Sequence, residues 1–413
     1  MHEPLLDLLR CPFCGGSFNL HPSARRSGPD GRIESGVIWC ECCAFPIVAG
    51  IPVLRSDDTS RLAMQALEAG RQEDALFGLL GLEGARAEAF RALLGREEAL
   101  TYRDAIRVLS PDPEGTYFIY RFSDPTFVMA ESVLAALAQE PSAFPGRVLD
   151  LCGGSGHLTR VITRMRPAHT VVLADMFFWK LWLARTFTAP DAVPVCCDGN
   201  HPLPFAPETF PTVVLSDAFP YIWQKRLLAE EMLRQAGGRG TIVMPHLHSS
   251  LGWNYSAGMT LTPQSYASLF AALQPRLFPD EALFQQVVEG AGLDLGRPVS
   301  PEALGSTNSF TLIASRQANL FRRYPPAAAG PVAGSLAINP LYRVSHDGSR
   351  SVLTLTFPTP QYEEEFGECR RYLPDALTLS GDFTAPVLPL TNDVDVEDLR
   401  RRRVLIDAPP RYC

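Results

Sequence analysis

The chain has 413 residues, 46% of them hydrophobic and 20% charged, a balance that excludes a disordered or fibrous protein and leaves room for two or three domains. A formal net charge of −8 argues against a nucleic-acid binder, because phosphate neutralisation wants a concentrated basic face. With no run of 18 apolar residues and no basic, then apolar, N-terminal leader, neither a membrane span nor a signal peptide is expected, and the cytoplasm is the default compartment.

Residues 1–56 are Cys-rich and punctuated by Pro and Gly, with β-type patches at 37–39 and 47–54. Five of the ten cysteines fall here, as Cys11-Pro-Phe-Cys14 and Cys40-Glu-Cys42-Cys43, two C-x2-C knuckles separated by 25 residues. Without a secretory leader such thiols are read as metal ligands rather than disulfides. Each knuckle sets two thiolates on one side of a tight turn, and two knuckles make a tetrahedral zinc site. The expected ligands are Cys11, Cys14, Cys40 and Cys43, with Cys42 either replacing Cys43 or standing as a spare thiol, and with His2 and His21 as outside candidates. Four protein thiolates leave no open position, so this zinc is structural.

From 57 to 145 the composition turns to Ala, Leu, Arg and Glu at helical spacing, broken at 110–115 (SPDPEG) and closed by the linker PSAFPG at 141–146. TYFIYRF, with Tyr117, Tyr120 and Arg121, reads as an amphipathic aromatic helix packed on the following domain. Strand-type runs then follow at 148–151, 170–174, 193–197, 212–216 and 241–244, with helical stretches at 156–165, 176–187 and 224–236. Such βα repeats predict a parallel sheet covered on both faces. A helix at 281–291 and a strand at 310–314 close the domain, and 261–277 is an extra stretch expected to cover the site. After the linker 327–334, a small α+β region ends near the basic run 400–403. Lys180 and Lys225 are the only lysines, so arginine supplies almost all the positive charge and carries little functional weight position by position.

The first strand runs into Asp150-Leu-Cys-Gly-Gly-Ser-Gly156, a glycine-rich turn opening a helix. A dinucleotide fingerprint needs a third glycine where Thr159 stands, and a phosphate loop needs a lysine that is absent. The turn instead resembles the first motif of class I S-adenosylmethionine-dependent methyltransferases, with Cys152 replacing its first glycine. Asp175 follows Asp150 by 25 residues and Asp198 follows by another 23, each ending a strand. The resemblance implies that Asp175 binds the ribose hydroxyls and Asp198 the adenine amino group. It also implies that Met176 and Gly199 line the adenine and that Asp150, Cys152, Gly154 and Gly156 form the loop. HPLPFAPETFPTVVLSDAFPYI and LLAEEMLRQAGGRGTIVM extend it across about 147–316. Likewise LLDLLRCPFCGGSF and VIWCECCAFPIVAGIPVL resemble the small zinc-ribbon activators of tRNA and protein methyltransferases and the zinc arm of some rRNA methyltransferases.

In such a fold the acceptor lies beyond the fourth and fifth strands, where Asp217, His246 and His248 stand. An acceptor hydroxyl or carbon acid needs a base, and these are the candidates. His246 and His248, two apart on extended chain, face one way; a metal role wants a third ligand. Cys196 and Cys197 are expected core thiols. The predicted architecture is α/β: a zinc ribbon (1–56), a helical lid (57–145), a Rossmann-like methyltransferase sheet (146–326) and a C-terminal α+β extension (327–413). The expected activity is methyl transfer from S-adenosylmethionine to a small molecule, with an RNA base as the alternative acceptor. Oligomeric state stays open.

Overall fold

The computed structural model describes residues 1–96, 100–167, 170–253, 258–327, 332, 334–347, 350–380 and 396–412. The N-terminal unit is an antiparallel sheet. Its β3 (Arg32–Trp39) pairs with β1 (Asn19–Leu20), β2 (Arg25–Ser27) and β4 (Ala44–Val48), and β4 pairs with β5 (Ile51–Pro52). The stretch between the knuckles carries β1, β2 and β3, with β2 and β3 paired as a hairpin. Beyond β5 the backbone joins the edge of the next sheet: Val53 bridges Cys196 in parallel, and Leu54 N–H donates to the Cys196 carbonyl. On the other side, Arg10 N–H donates to Pro204 and Ala206 N–H to Leu8.

Six helices follow: α1 (Asp58–Glu68), α2 (Gln72–Leu80), α3 (Gly84–Leu94), α4 (Tyr102–Leu109), α5 (Pro113–Tyr120) and α6 (Pro125–Ala138). Four begin where an Asp57, Thr101, Asp112 or Asp124 side chain accepts the N–H three residues on. α5 and α6 also start on proline, whose missing N–H costs nothing at that position.

The central domain alternates β6 (Val148–Leu151), α7 (His157–Met165), β7 (Val171–Asp175), α8 (Phe178–Leu183), β8 (Val193–Cys196), β9 (Thr212–Val214), α9 (Lys225–Ala236) and β10 (Thr241–His248). Then come α10 (Pro263–Leu269), β11 (Pro275–Pro279), α11 (Asp280–Val288), the short β12 (Leu293–Asp294), β13 (Ser309–Ser315) and β14 (Arg323–Tyr324), which pairs with β12. Seven strands form one sheet in the order β11-β13-β10-β9-β6-β7-β8, with β13 antiparallel to both neighbours. The stretch 261–277, expected as a cover, instead supplies α10 and leads into edge strand β11. Leu277 and Phe278 are buried by pairing there, a contact that local pattern does not reveal.

Successive strand residues face opposite layers. Val148, Val171, Leu173, Val214 and Val243 pack in one core with the six N-terminal helices. Leu149, Leu151, Val172, Val195 and Met244 pack in the other, which also holds Met1, Leu5 and Leu9 of the ribbon. The ribbon thus shares a core with the sheet. Strand order reverses between β6 and β9, which opens a crevice at their carboxyl ends.

The C-terminal part pairs β15 (Ser335–Ile338) with β19 (Leu405–Ala408). It also forms a three-stranded sheet of β16 (Tyr342–Asp347), β17 (Arg350–Leu355) and β18 (Ala376–Ser380), with α12 (Pro360–Phe366) and α13 (Val396–Arg401). Most of the linker at 327–334 lies outside the described residues. The basic run is neutralised locally: Arg400 pairs with Glu397, Arg401 and Arg402 with Asp398, and Arg403 with Glu131. Tyr412 stacks on Tyr102 with ring centroids 4.8 Å apart, and its hydroxyl lies 2.9 Å from His157 Nε2, at the start of α7.

Candidate active site and metal centre

The glycine-rich turn leaves β6 with Cys152 in the left-handed region (φ 57°), followed by Gly154 (φ 58°) and Gly156 (φ 83°). Gly156 is needed for space as well as φ, since a Cβ there would lie 2.8 Å from the Ala184 Cβ. Of the eight described non-glycine residues at positive φ, Cys152 follows β6, Asp217 (φ 56°) follows β9 and His246 (φ 59°) lies at the β10 bulge. Each such residue costs about 1–3 kcal/mol, a strain that collects at functional sites.

The turn is folded onto Asp175: Gly154 N–H donates to Oδ2 at 3.0 Å and Phe177 N–H to Oδ1 at 2.8 Å. Asp175 is 6% exposed, and burial raises its carboxyl above the usual range while Lys180 pulls the other way. Thr159, which stands where a dinucleotide turn has glycine, donates its hydroxyl to Asp150 Oδ2 at 2.5 Å. Asp150 Oδ1 is buried without a hydrogen-bond partner, and burial pushes this carboxyl from 3.8 up to about 7.

That shift has a stability consequence. The folded chain favours protonated Asp150, so its contribution is fully present below about pH 4 and is lost as pH rises through about 7. Asp150→Asn is therefore expected to gain stability relative to the parent between pH 5 and pH 8, read as a widening gap in denaturation midpoints without ligand.

Asp198 follows β8, its Oδ1 accepting from Asn200 N and Nδ2 at 2.8 and 2.9 Å. A cavity of about 140 Å³ opens beside it, lined by Leu54, Arg55, Cys197 and the ribbon's Phe13. The Met176 carbonyl accepts from Arg55 Nη1 at 2.5 Å and from the Cys196 thiol at 3.5 Å, and a Cβ on Gly199 would lie 3.3 Å from Ile222. Cys196 and Cys197 are buried, as core thiols. Phe118 of the TYFIYRF helix sits over the turn, 3.1 Å from where a Gly154 Cβ would be. Lys180 lies 5.2 Å from the Phe118 ring centroid and 4.4 Å from that of Phe177, and it pairs with Glu114 at 2.6 Å. Sequence reasoning passed over Lys180, although a lysine in an arginine-dominated chain was a usable signal. Arg121 is buried against Asp124 at 2.6 Å and over Tyr117, the packed-helix arrangement expected of that segment.

Across the crevice, Asp217, His246 and His248 converge. His248 Nε2 lies 3.2 Å from Asp217 Oδ1, and the two imidazole centroids are 4.7 Å apart. A register shift in β10 between Met244 and Leu247 turns His246 inward, where Nδ1 meets Asp280 Oδ2 at 2.9 Å. Asp280 Oδ1 in turn accepts from Thr311 Oγ1 at 2.8 Å. Burial disfavours charge on Asp217, but the His248 hydrogen bond and the nearby charges of His246, His248 and Arg121 outweigh it, holding the carboxyl below the usual range. Burial likewise disfavours imidazolium at His246, yet Asp280 and Asp217 raise it above the usual range. Burial, then the charges of Asp217 and Asp124, raise the Glu365 carboxyl of α12 above the usual range. Asp280 and Thr311 carried no motif, because they come behind His246 only through tertiary contact.

In the ribbon, the sulfurs of Cys11, Cys14, Cys40 and Cys42 form one four-thiol set. This corrects the expected fourth member. Cys43 lies outside the set, its sulfur 3.3 Å from that of Cys42. The Cys11–Cys42, Cys14–Cys40 and Cys40–Cys42 sulfur separations are 3.5, 3.7 and 3.6 Å. A tetrahedral ion with 2.3 Å bonds to sulfur requires separations of about 3.8 Å, so the set has the dimensions of a metal site. Neither His2 nor His21 belongs to it. Burial raises the Cys40 thiol, but the Cys42 and Cys43 backbone N–H groups more than offset this and bring it to about 7.

No protein-family model matches the chain, and no curated protein matches it. Among solved structures, it is similar to a SAM-dependent methyltransferase from Aquifex aeolicus, at 14% identity and TM-score 0.35, over 49% of this chain and 97% of that one. It is also similar to a chain in the complex between the Haloferax volcanii Trm112 methyltransferase activator and a methyltransferase, at 17% identity and TM-score 0.33, over 45% and 88%. A third is an S-adenosylmethionine-dependent methyltransferase from Mesorhizobium loti, at 16% identity and TM-score 0.33, over 44% and 96%. Among the described residues, no helix is long and apolar enough to cross a membrane.

Proposed function

We propose that the chain is an S-adenosylmethionine-dependent methyltransferase acting on a small molecule, carrying a structural zinc in an N-terminal ribbon. One observation carries the reading. Asp150, Asp175 and Asp198 stand at the carboxyl ends of three adjacent parallel strands, beside the switch point, with a left-handed glycine turn tied to the middle acid. The residues fit that cofactor. Asp175 keeps lone pairs for two vicinal hydroxyls, and Asp198 borders a cavity whose walls mix apolar Phe13 and Leu54 with polar Arg55 and His201. When bound, the cofactor supplies an electrophilic methyl group on a sulfonium.

The chain's own work is positioning. Asp175 fixes the turn through the Gly154 N–H and its own loop through the Phe177 N–H, and Phe118 packs over the turn beside Lys180. Asp217, His246 and His248 converge at the end of the crevice where the methyl acceptor is placed. Zinc is assigned to Cys11, Cys14, Cys40 and Cys42 because four thiolates suit it and because the ribbon's own core is small.

A small molecule is favoured over nucleic acid by charge and by surface. Two ribbon arginines are spent on acids, Arg26 on Glu3 and Arg32 on Asp30. The loops after β9 and β10, joined by Met259 N–H to the Pro220 carbonyl, present exposed Tyr221, Trp223, Leu251 and Met259. Calorimetric titration with S-adenosylmethionine tests the reading. Saturable one-to-one binding is expected, and a folded, zinc-loaded chain that ignores the cofactor refutes it.

A further inference from the structure

We propose that Asp217, His246 and His248 hold a divalent first-row transition ion at the acceptor end of the crevice. Their donor atoms all lie within 4.8 Å of one another, and Asp217 Oδ1 and His248 Nε2 are already 3.2 Å apart. A tetrahedral ion with 2.0–2.2 Å bonds to nitrogen or oxygen requires separations of about 3.3–3.6 Å, which the Asp217–His248 pair already approaches. Two histidines and one carboxylate on one face leave the opposite positions open, a pattern that suits Fe(II), Mn(II), Co(II) or Zn(II).

Three independent features point the same way. First, His246 is held as ligating histidines are: Asp280 takes its Nδ1–H and Thr311 anchors Asp280, which leaves Nε2 with its lone pair for an ion. Second, His248 Nδ1 is buried and has no hydrogen-bond partner, so Nε2, on the Asp217 side, is its only polar attachment. Third, the backbone is strained toward this point. Asp217 and His246 both hold positive φ, and the β10 bulge brings two imidazoles that belong to one strand into edge contact at 4.7 Å. A pair of merely hydrogen-bonded loop histidines would not need that.

The role of the ion rests on the methyltransferase reading; its binding does not. An ion here lowers the pKa of a coordinated hydroxyl as it does that of water. That selects an oxygen acid, such as a phenol or hydroxy acid with a second oxygen donor beside the acceptor. The hydroxyl releases its proton to solvent, the C–O bond forms as the methyl–sulfur bond breaks, and the sulfonium leaves as a neutral thioether.

The test is a Co(II) titration of the zinc-loaded full-length chain, followed by absorption and equilibrium dialysis. One additional equivalent is expected, with weak d–d bands and no sulfur charge-transfer band. Asp217→Asn and His246→Gln should weaken it at least 100-fold, and Asp280→Asn, which leaves all three ligands in place, by about 10- to 100-fold. Equal Co(II) binding by parent and variants, or none by a parent chain with a cooperative melt, overturns the site. S-adenosylmethionine binding is measured on the same samples. Cobalt binding without cofactor binding defeats the proposed function alone, and the converse defeats the metal site alone.

Discussion

Cys40→Ser is expected to release one equivalent of zinc and to lower the melting temperature by on the order of 10 °C. The four sulfurs define the only covalent-strength staple in a unit of short strands, two of which have just two residues. Structural zinc in small peptides contributes about 10–16 kcal/mol at neutral pH, most of which is lost with one ligand. The damage will not stay local. The ribbon supplies Val53 and Leu54 to the sheet edge at Cys196, and Leu54 and Arg55 also border the cavity beside Asp198. Weakened cofactor binding should therefore accompany zinc loss. Elemental analysis and thermal melts check the first part, calorimetry the second. Cys43→Ser is the discriminating control. It should keep its zinc and its melting temperature, whereas Cys42→Ser should behave like Cys40→Ser.

Asp175→Ala is expected to reduce S-adenosylmethionine affinity by about 100-fold or more, the loss of a charge-assisted pair of hydrogen bonds. It also removes the acceptor for two backbone N–H groups, Gly154 and Phe177. Leaving buried donors unsatisfied costs about 1–3 kcal/mol each, offset by relief from burying a carboxylate whose pKa burial has raised. Asp175→Asn separates the two roles in part, because its amide oxygen keeps one of the two acceptors, for Gly154 or for Phe177. It should be more stable than Asp175→Ala and still bind weakly. Equal affinity in all three proteins, measured by calorimetry, would remove Asp175 from the cofactor site.

Much of this was legible in the chain itself. Hydrophobic runs bounded by Gly and Pro located β6 to β10 within a residue or two at nearly every end, because fully buried strands must be apolar throughout. The exception is β10, which continues four residues past the expected end and carries both histidines. Its Pro245 and the bulge at that point interrupt the local signal. Edge strand β11 was also illegible, since its pairing with β13 lies more than thirty residues ahead. Cys152 was recognised as a residue poorly suited to a glycine position, and the structure holds it at positive φ all the same. The surrounding contacts force a conformation that local preference opposes.

What the sequence determined by itself is periodic or covalent in scale: strand and helix alternation, the three spaced acids, the two knuckles, and the exclusion of a dinucleotide turn by Thr159. What only the tertiary structure decided is convergence. It gathered the sulfurs of Cys11, Cys14, Cys40 and Cys42 with Cys43 outside the set, set the ribbon on the sheet edge, brought Asp280 and Thr311 behind His246, and drew Asp217 to within 4.8 Å of both histidines. The physical reason is that side-chain direction depends on a few backbone angles at strand ends, and those are set by long-range packing.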